Sequence, residues 1–284
     1  MNANAPLNVL AADANPATSL EQRYGAAMPS LGAAPNAVIE SLLGHRTVRA
    51  FSDAPLPEGT LEWLVASAQS AATSSNLQCW SVVAVQDPQR RARLSVLANN
   101  QAHVRDCPLL LVWIADLSRL DRAGEKTGIA TAGNQYLEMF LVAAVDAALA
   151  AQNATAAAES LGLGTCYIGA MRNHPEKVAQ ELGLPLDAFA IFGLCVGVPD
   201  ETRPASVKPR LAQSAILHHE QYRVENEPAA VLDYDRVMRG FQRSQNMKEV
   251  DWSAQSAERV SGPGSLSGRD RLVSALRALG FGLE

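Results

Sequence analysis

The sequence predicts an α+β domain on three observations. Strand-like and helix-like stretches are interleaved, but without the clean strand–helix–strand rhythm of a doubly wound sheet. Residues 108–115 (PLLLVWIA) form a near-continuous apolar run, as expected of a central strand buried on both faces. Residues 134–161 form a long alanine-rich stretch, apolar nearly all round, which reads as a helix buried in a core or an interface.

Taken in order, residues 1–35 are rich in Ala, Asn and Pro and read as a mobile or surface-draped extension. They lack the basic start and continuous apolar run of a secretory signal. A helix is expected from Asn36 to Leu43, with Val38, Ile39, Leu42 and Leu43 as its apolar positions. The polar run His45-Arg46-Thr47-Val48-Arg49 follows. If extended, it puts His45, Thr47 and Arg49 on one side. Such a run is either a solvated basic turn or a set of cationic donors suited to a phosphate.

Leu61, Leu64, Val65 and Ala68 recur at helical spacing. The loop Thr73-Ser74-Ser75-Asn76-Leu77-Gln78 then feeds a strand over Cys79 to Gln86. Its hydroxyls and amides either satisfy the turn locally or line a pocket. Asp87-Pro88 ends the strand, and a charged helix runs to Leu97. Residues 99–103 (NNQAH) make a second amide-rich loop. Ser118 to Gly133 is polar and reads as an irregular excursion. Asn134 is placed to cap the long helix, which Gly162 and Gly164 stop. A strand over Thr165–Met171, a helix over Pro175–Leu182 and a strand over Phe189–Val198 follow. From Pro199 the composition changes. The proline-punctuated stretch around Lys208-Pro209-Arg210 is extended, Asp233 to Met247 suits a helix with a basic end, and Arg269 to Leu279 an amphipathic closing helix. Residues 199–284 read as a C-terminal arm with that helix at its end.

The chain has 284 residues, a net charge of −5, 48% hydrophobic and 19% charged residues. That supports a sizeable core and argues against nucleic acid or an anionic membrane surface as partner. The four cysteines (79, 107, 166, 195) are widely spaced in apolar runs and read as reduced thiols of a cytoplasmic protein. The five histidines show no metal-binding spacing, so no metal site is expected. Gly162-Leu163-Gly164 follows a helix and opens a strand, and position 167 is tyrosine, so there is no dinucleotide fingerprint. Neither a P-loop nor a G-x-S-x-G elbow occurs.

Four blocks in order carry a resemblance. They are His45-Arg46-Thr47-Val48-Arg49; Thr73-Ser74-Ser75-Asn76-Leu77-Gln78-Cys79; residues 158–164 (AESLGLG) with Tyr167-Ile168-Gly169; and Phe192-Gly193-Leu194-Cys195 leading to Lys208-Pro209-Arg210-Leu211. Together they resemble the oxygen-insensitive NADPH nitroreductase and flavin reductase branch of the nitroreductase superfamily. The resemblance covers residues 36–284, with 1–35 outside it. It implies a mixed sheet flanked by helices, a long central helix at a homodimer interface, and a C-terminal arm embracing the partner. It also implies FMN as cofactor, NADPH as electron donor, and two-electron ping-pong reduction of nitroaromatics, quinones or similar flat acceptors. The alternatives are a flavin reductase supplying reduced FMN to a partner, or a non-catalytic flavin-binding protein.

Carried over by position, His45, Arg46, Thr47 and Arg49 would hold the FMN phosphate and ribityl chain, joined by Lys208 and Arg210. Thr73, Ser74, Ser75 and Gln101 would contact the flavin from the two polar loops. Tyr167, Ile168 and Gly169 would place backbone beside the ring. Arg243, with Lys248, would recognise the 2′-phosphate of NADPH. No protein nucleophile or other catalytic side chain is implied, because the flavin carries the chemistry. Thr47 stands where serine is usual, Ala170 where glycine is, and Ala212 where proline is. The loop 240–250 departs most.

Overall fold

The computed structural model describes residues 16–26 and 34–284. In chain order the elements are α1 (Pro16–Tyr24), α2 (Ala37–Leu43), α3 (Thr60–Gln69), β1 (Trp80–Val85), α4 (Pro88–Leu97), α5 (Ala102–Asp106), β2 (Leu109–Asp116) and α6 (Ser118–Thr127). They continue with α7 (Leu137–Ser160), β3 (Gly164–Ile168), α8 (Pro175–Leu182), β4 (Ala188–Gly197), α9 (Glu227–Ser244), α10 (Trp252–Arg259) and α11 (Leu272–Ala278).

The described residues fall into two compact units. One contains Thr47–Ala205 and Ser267–Glu284; the other contains the described part of Leu10–Arg46 together with Ser206–Leu266. The closing helix therefore belongs with the sheet, while residues 206–266 form a unit with the N-terminal segment. The reason is packing: Leu276 and Phe281 are buried with Phe189, Ala115 and Cys79.

In the first unit a four-stranded sheet has the order β1-β2-β4-β3. Its ladders are antiparallel. A parallel pairing enters at the isolated bridge Thr47–Thr165. β2 is central and buried at every position, as its unbroken apolar run requires. Its alternate side chains serve two cores. Leu110, Val112 and Ile114 face α4 and α8 with Leu94 and Val178. Leu109, Leu111 and Trp113 face α3 and α7 with Leu64, Ala150, Ala151 and Ala154. Alanine lets α7 lie close to the sheet.

The opposite stripe of α7 is open. Leu137, Leu141, Val145 and Leu149, four residues apart, are 47, 50, 55 and 44% exposed. By length and composition α7 is long enough to cross a membrane. Its alanine face on the sheet and its hydrogen-bonded, buried Asp146 make it a core helix.

Two local expectations give way. Ser118 to Gly133 is not an irregular excursion, since most of it is α6. Its polarity is that of a helix held by side-chain bonds: Arg122 donates to Ser118 Oγ at 2.9 Å, and Asp121 Oδ1 accepts from Thr131 Oγ1 and Asn134 Nδ2, each at 2.7 Å. Gly128, at φ +71°, ends it. Asn134 thus serves α6, and Tyr136 takes the cap position of α7. Of the expected N-terminal extension, 1–15 and 27–33 lie outside the described residues. Within it, Pro16–Tyr24 is helical, and Arg23 is only 7% exposed.

The second unit contains α1, α2, α9 and α10. Asn36 caps α2 by accepting from Ile39 N at 3.0 Å. Tyr234 on α9 meets Trp252 on α10 edge to face, with centroids 5.4 Å apart.

Candidate flavin-binding site

In the first unit, residues 47–52 are zipped to the sheet edge. Val48 N donates to Thr165 O at 2.8 Å and Ser52 N to Val198 O at 2.9 Å. This docking needs glycine at 164, because a Cβ there would lie 2.7 Å from Val48 Cβ and Cγ1. Val48 is buried, 5% exposed, so Arg49 turns outward and is exposed. The Arg49 charge reaches inward all the same. Burial first, then Arg49, pushes the His103 imidazole below its ordinary value. Burial raises the Cys166 thiol, and Arg49 opposes it.

The loop before β1 is held by a carboxylate from α7. Asp146, 2% exposed, accepts from Thr73 Oγ1 at 2.5 Å, Ser74 N at 3.2 Å and Cys79 N at 3.2 Å. Ser75, Asn76 and Gln78 all have left-handed backbones, with φ of 49°, 55° and 53°. Such residues cost of order 1–3 kcal/mol each and persist where the surroundings over-determine them. The Thr73 proton is committed to Asp146, and its oxygen also accepts from Gln78 N at 2.9 Å. Thr73 is therefore a loop anchor in this structure. Ser74 and Ser75 stay exposed. Burial and then Asp146 push the Cys79 thiol up to about 11, so it packs and does not react. Gln101 precedes α5, and its carbonyl accepts from Ser95 Oγ at 2.8 Å.

Tyr167 and Ile168 end β3, and Gly169 follows. The Tyr167 and Thr155 hydroxyls are hydrogen-bonded at 2.9 Å, and the Tyr167 ring meets Phe192 edge to face at 5.2 Å. Gly169 lies beneath two guanidiniums: a Cβ there would be 3.4 Å from Arg172 Nη2 and 3.7 Å from Arg269 Nη1. Burial and the charge of Arg269 both push the Arg172 pKa down. Arg269 Nε donates to Asn173 Oδ1 at 2.8 Å. This pair of cations beside Tyr167-Ile168-Gly169 escaped sequence reasoning, as did Asp146. Arg172 closes the Tyr-Ile-Gly block three residues on, which was a usable signal. Arg269, nearly a hundred residues away, offered none.

In the second unit, His45 is half-buried and Arg46 exposed. Lys208 and Arg210 are exposed with Pro209 buried between them, the alternation of an extended segment. Pro209 O accepts from Tyr234 Oη at 2.8 Å. A cleft of about 610 Å³ is lined by Arg23, Tyr24, Arg210, Tyr234 and Trp252, among others. Arg243, on α9, makes a bidentate pair with Glu249 at 3.0 and 2.8 Å, which holds the Glu249 carboxyl below its ordinary value. Lys248 is exposed.

The donor set suits a flavin phosphate. Several exposed arginines elsewhere are paired, as in Arg93–Glu181, Arg203–Asp200, Arg236–Asp233 and Arg271–Glu176. Among the described residues, no ion pair within 4.0 Å is made by Arg46 or Arg49. No side-chain hydrogen bond is made among them by Thr47, Ser74 or Ser75. Uncommitted cations and hydroxyls in one short segment and one strained loop are what an anionic, polyhydroxylated ligand needs.

Comparison with known proteins agrees. The nitroreductase family model matches residues 42–198, and the model of the family's C-terminal domain matches 208–284. An FMN reductase (NADPH) from Bacillus subtilis is 40% identical over 225 residues, 78% of this chain and 90% of that protein. An oxygen-insensitive NADPH nitroreductase from Salmonella typhimurium is 36% identical over 217 residues, 76% of this chain and 87% of that protein. The solved structure of NfrA1 nitroreductase from B. subtilis superposes with a TM-score of 0.80 at 37% identity, covering 86% of this chain and 99% of that one. A fold, a donor set and a match from residue 42 to 284 that point the same way leave one conclusion: this chain belongs to the nitroreductase family, in its NADPH nitroreductase and flavin reductase branch.

Proposed function

We propose that this chain is an FMN-dependent NAD(P)H oxidoreductase that reduces nitroaromatics, quinones or similar flat acceptors. The observation that carries the site assignment is that Arg46 and Arg49 make no ion pair among the described residues, where other exposed arginines are often paired. When bound, FMN supplies the redox chemistry, and the protein supplies binding, orientation and electrostatics.

Arg46, Thr47 and Arg49, with His45, Lys208 and Arg210, are assigned to the phosphate. Arginine presents a planar fork that matches phosphate oxygens two at a time. Ser74, Ser75 and Gln101 donate neutral hydrogen bonds to the ribityl chain and ring, and Thr73 acts through the loop it anchors. Tyr167, Ile168 and Gly169 present backbone to the ring. Arg172 and Arg269, the cations over Gly169, favour negative charge there.

Arg243, with Lys248, is assigned to the 2′-phosphate of NADPH. Glu249 competes for Arg243, but a solvent-exposed ion pair is weak and yields to a dianionic phosphate. The open stripe Leu137, Leu141, Val145 and Leu149 is assigned to a homodimer interface, since four exposed apolar residues on one helix face seek a partner. Four buried free cysteines support a cytoplasmic location.

The test is the visible spectrum of the purified protein, followed anaerobically. An oxidised-flavin spectrum that bleaches faster with NADPH than with NADH is expected. Arg243→Ala is expected to remove that difference. A colourless protein that takes up no added FMN refutes the cofactor assignment. Equal effects of Arg243→Ala on NADPH and NADH remove the 2′-phosphate role. Turnover with soluble FMN against a nitroaromatic or quinone separates flavin reductase from nitroreductase activity.

A further inference from the structure

We propose that Arg23, on a helix preceding the region matched by the family model, is a positioning residue for the second unit's phosphate-binding cations. The inference rests on the flavin-phosphate reading given above. The family model begins at residue 42, so nothing in the match assigns Arg23 a role.

Arg23 sits in the last turn of α1 and is 7% exposed, which is unusual for an arginine near the start of a chain. Its guanidinium donates to three backbone carbonyls: Nη2 to Leu43 O at 2.6 Å and His45 O at 2.7 Å, and Nη1 to Lys208 O at 3.0 Å. Its own carbonyl accepts from Arg210 N at 2.8 Å. One residue thus joins the backbone beneath His45-Arg46 to the backbone beneath Lys208-Pro209-Arg210.

The chemistry explains why arginine is used. Leu43 is the last residue of α2, and its carbonyl is one of the orphan acceptors at a helix C-terminus, where a cation is favoured. A guanidinium carries five donors in a rigid fork, so it can bridge two segments in fixed geometry; an ammonium is a point charge on a flexible stem. The cations assigned to the phosphate repel one another. Holding their backbones by carbonyls keeps two like-charged segments together and leaves the Arg46 and Arg210 side chains exposed to ligand.

α1 has other anchors. Gly25, at φ +64°, lies against Val237 of α9 where no side chain would fit, and Tyr24 Oη accepts from Gln213 Nε2 at 3.1 Å. The helix therefore has reason to stay in place when Arg23 is changed.

The experiment compares FMN with riboflavin, which lacks the phosphate. Dissociation constants for both are measured by flavin fluorescence on the full chain stripped of flavin. Arg23→Ala is expected to weaken FMN roughly tenfold to fiftyfold, the scale of one or two charge-assisted hydrogen bonds, while riboflavin moves less than about twofold. Arg23→Lys, which keeps the charge and loses the fork, is expected to restore FMN affinity only in part.

Equal weakening of FMN and riboflavin in Arg23→Ala shows a general structural role and overturns the proposal. So does unchanged FMN binding, or full rescue by lysine. If Arg23→Ala does not fold, Arg23→Lys carries the test, and an undiminished preference for FMN over riboflavin overturns it. Arg210→Ala serves as the reference. If it leaves that preference intact, the phosphate reading itself fails; if it abolishes the preference while Arg23→Ala does not, only the Arg23 inference fails.

Discussion

Asp146 is the point where one substitution should loosen a whole loop. It is 2% exposed and accepts three hydrogen bonds from the segment between α3 and β1. Hydrogen bonds to a charged group contribute about 1.5–3 kcal/mol each. Burying the carboxylate costs several kcal/mol, which offsets part of that sum. In Asp146→Ala the exposed Ser74 recovers water, but the buried Cys79 N–H does not, at a cost of about 1–3 kcal/mol. The left-handed backbones of Ser75, Asn76 and Gln78 then lose the contact that imposes them. A net local destabilisation of about 2–4 kcal/mol is expected. Since each 1.4 kcal/mol is tenfold, amide exchange over residues 73–79 should speed up roughly 30- to 700-fold. The assay is hydrogen exchange read by mass spectrometry on that peptide, with the β2 peptide as internal control. Asp146→Asn, which keeps one acceptor oxygen, should fall between. Exchange within about threefold of the parent protein, a change under about 0.7 kcal/mol, would refute the idea that this carboxylate holds the loop.

Gly164→Ala would drive a Cβ into Val48 and lift residues 47–52 from β3. A cost of about 1–3 kcal/mol is expected, seen as a lower thermal midpoint and weaker FMN retention; an unshifted midpoint with full flavin would show that the segment tolerates the methyl group. If the proposed homodimer forms through the open stripe of α7, Val145→Asp buries an unpaired charge twice across a two-fold interface, and the dimer dissociation constant should rise at least about a hundredfold in sedimentation equilibrium. A parent-like dimer would move the interface off α7. For His103 the folded pKa is depressed, by burial and then by Arg49. Its contribution to stability is therefore present above the unfolded value of about 6.5 and is lost as pH falls below it. Arg49→Ala should shift the His103 titration upward by proton NMR, and an unmoved midpoint would mean the two are not coupled.

How much was legible depended on how local the cause was. α4 begins at Pro88 behind the capping Asp87, and α8 spans Pro175–Leu182, because caps, proline and apolar spacing act within a few residues. β2 announced itself by its unbroken apolar run. α6 did not, because its polar sequence reads as a loop until Asp121 is seen to bond Thr131 and Asn134. The four blocks were enough to place the family and its cofactor. They did not show which partners a hydroxyl takes inside the fold, where Thr73 donates to Asp146 and accepts from Gln78 N.

By itself, then, the sequence determined what local pattern encodes: which runs are buried strands, where helices such as α2 and α4 are capped, and which short motifs concentrate cations. Only the tertiary structure decided which charged groups meet. The Asp146 carboxylate reaches a loop 67–73 residues away, Arg269 reaches Asn173 across 96, and Arg23 reaches Lys208 across 185. Such contacts leave no periodic trace, because each is a single side chain whose partner is chosen by how the chain packs and not by its neighbours in sequence. The same is true of Glu249, which turns Arg243 from an open cation into a paired one. Hydrophobic burial repeats along a strand or a helix and so can be read in one dimension; a hydrogen-bonded charge is a three-dimensional coincidence that only folding brings about.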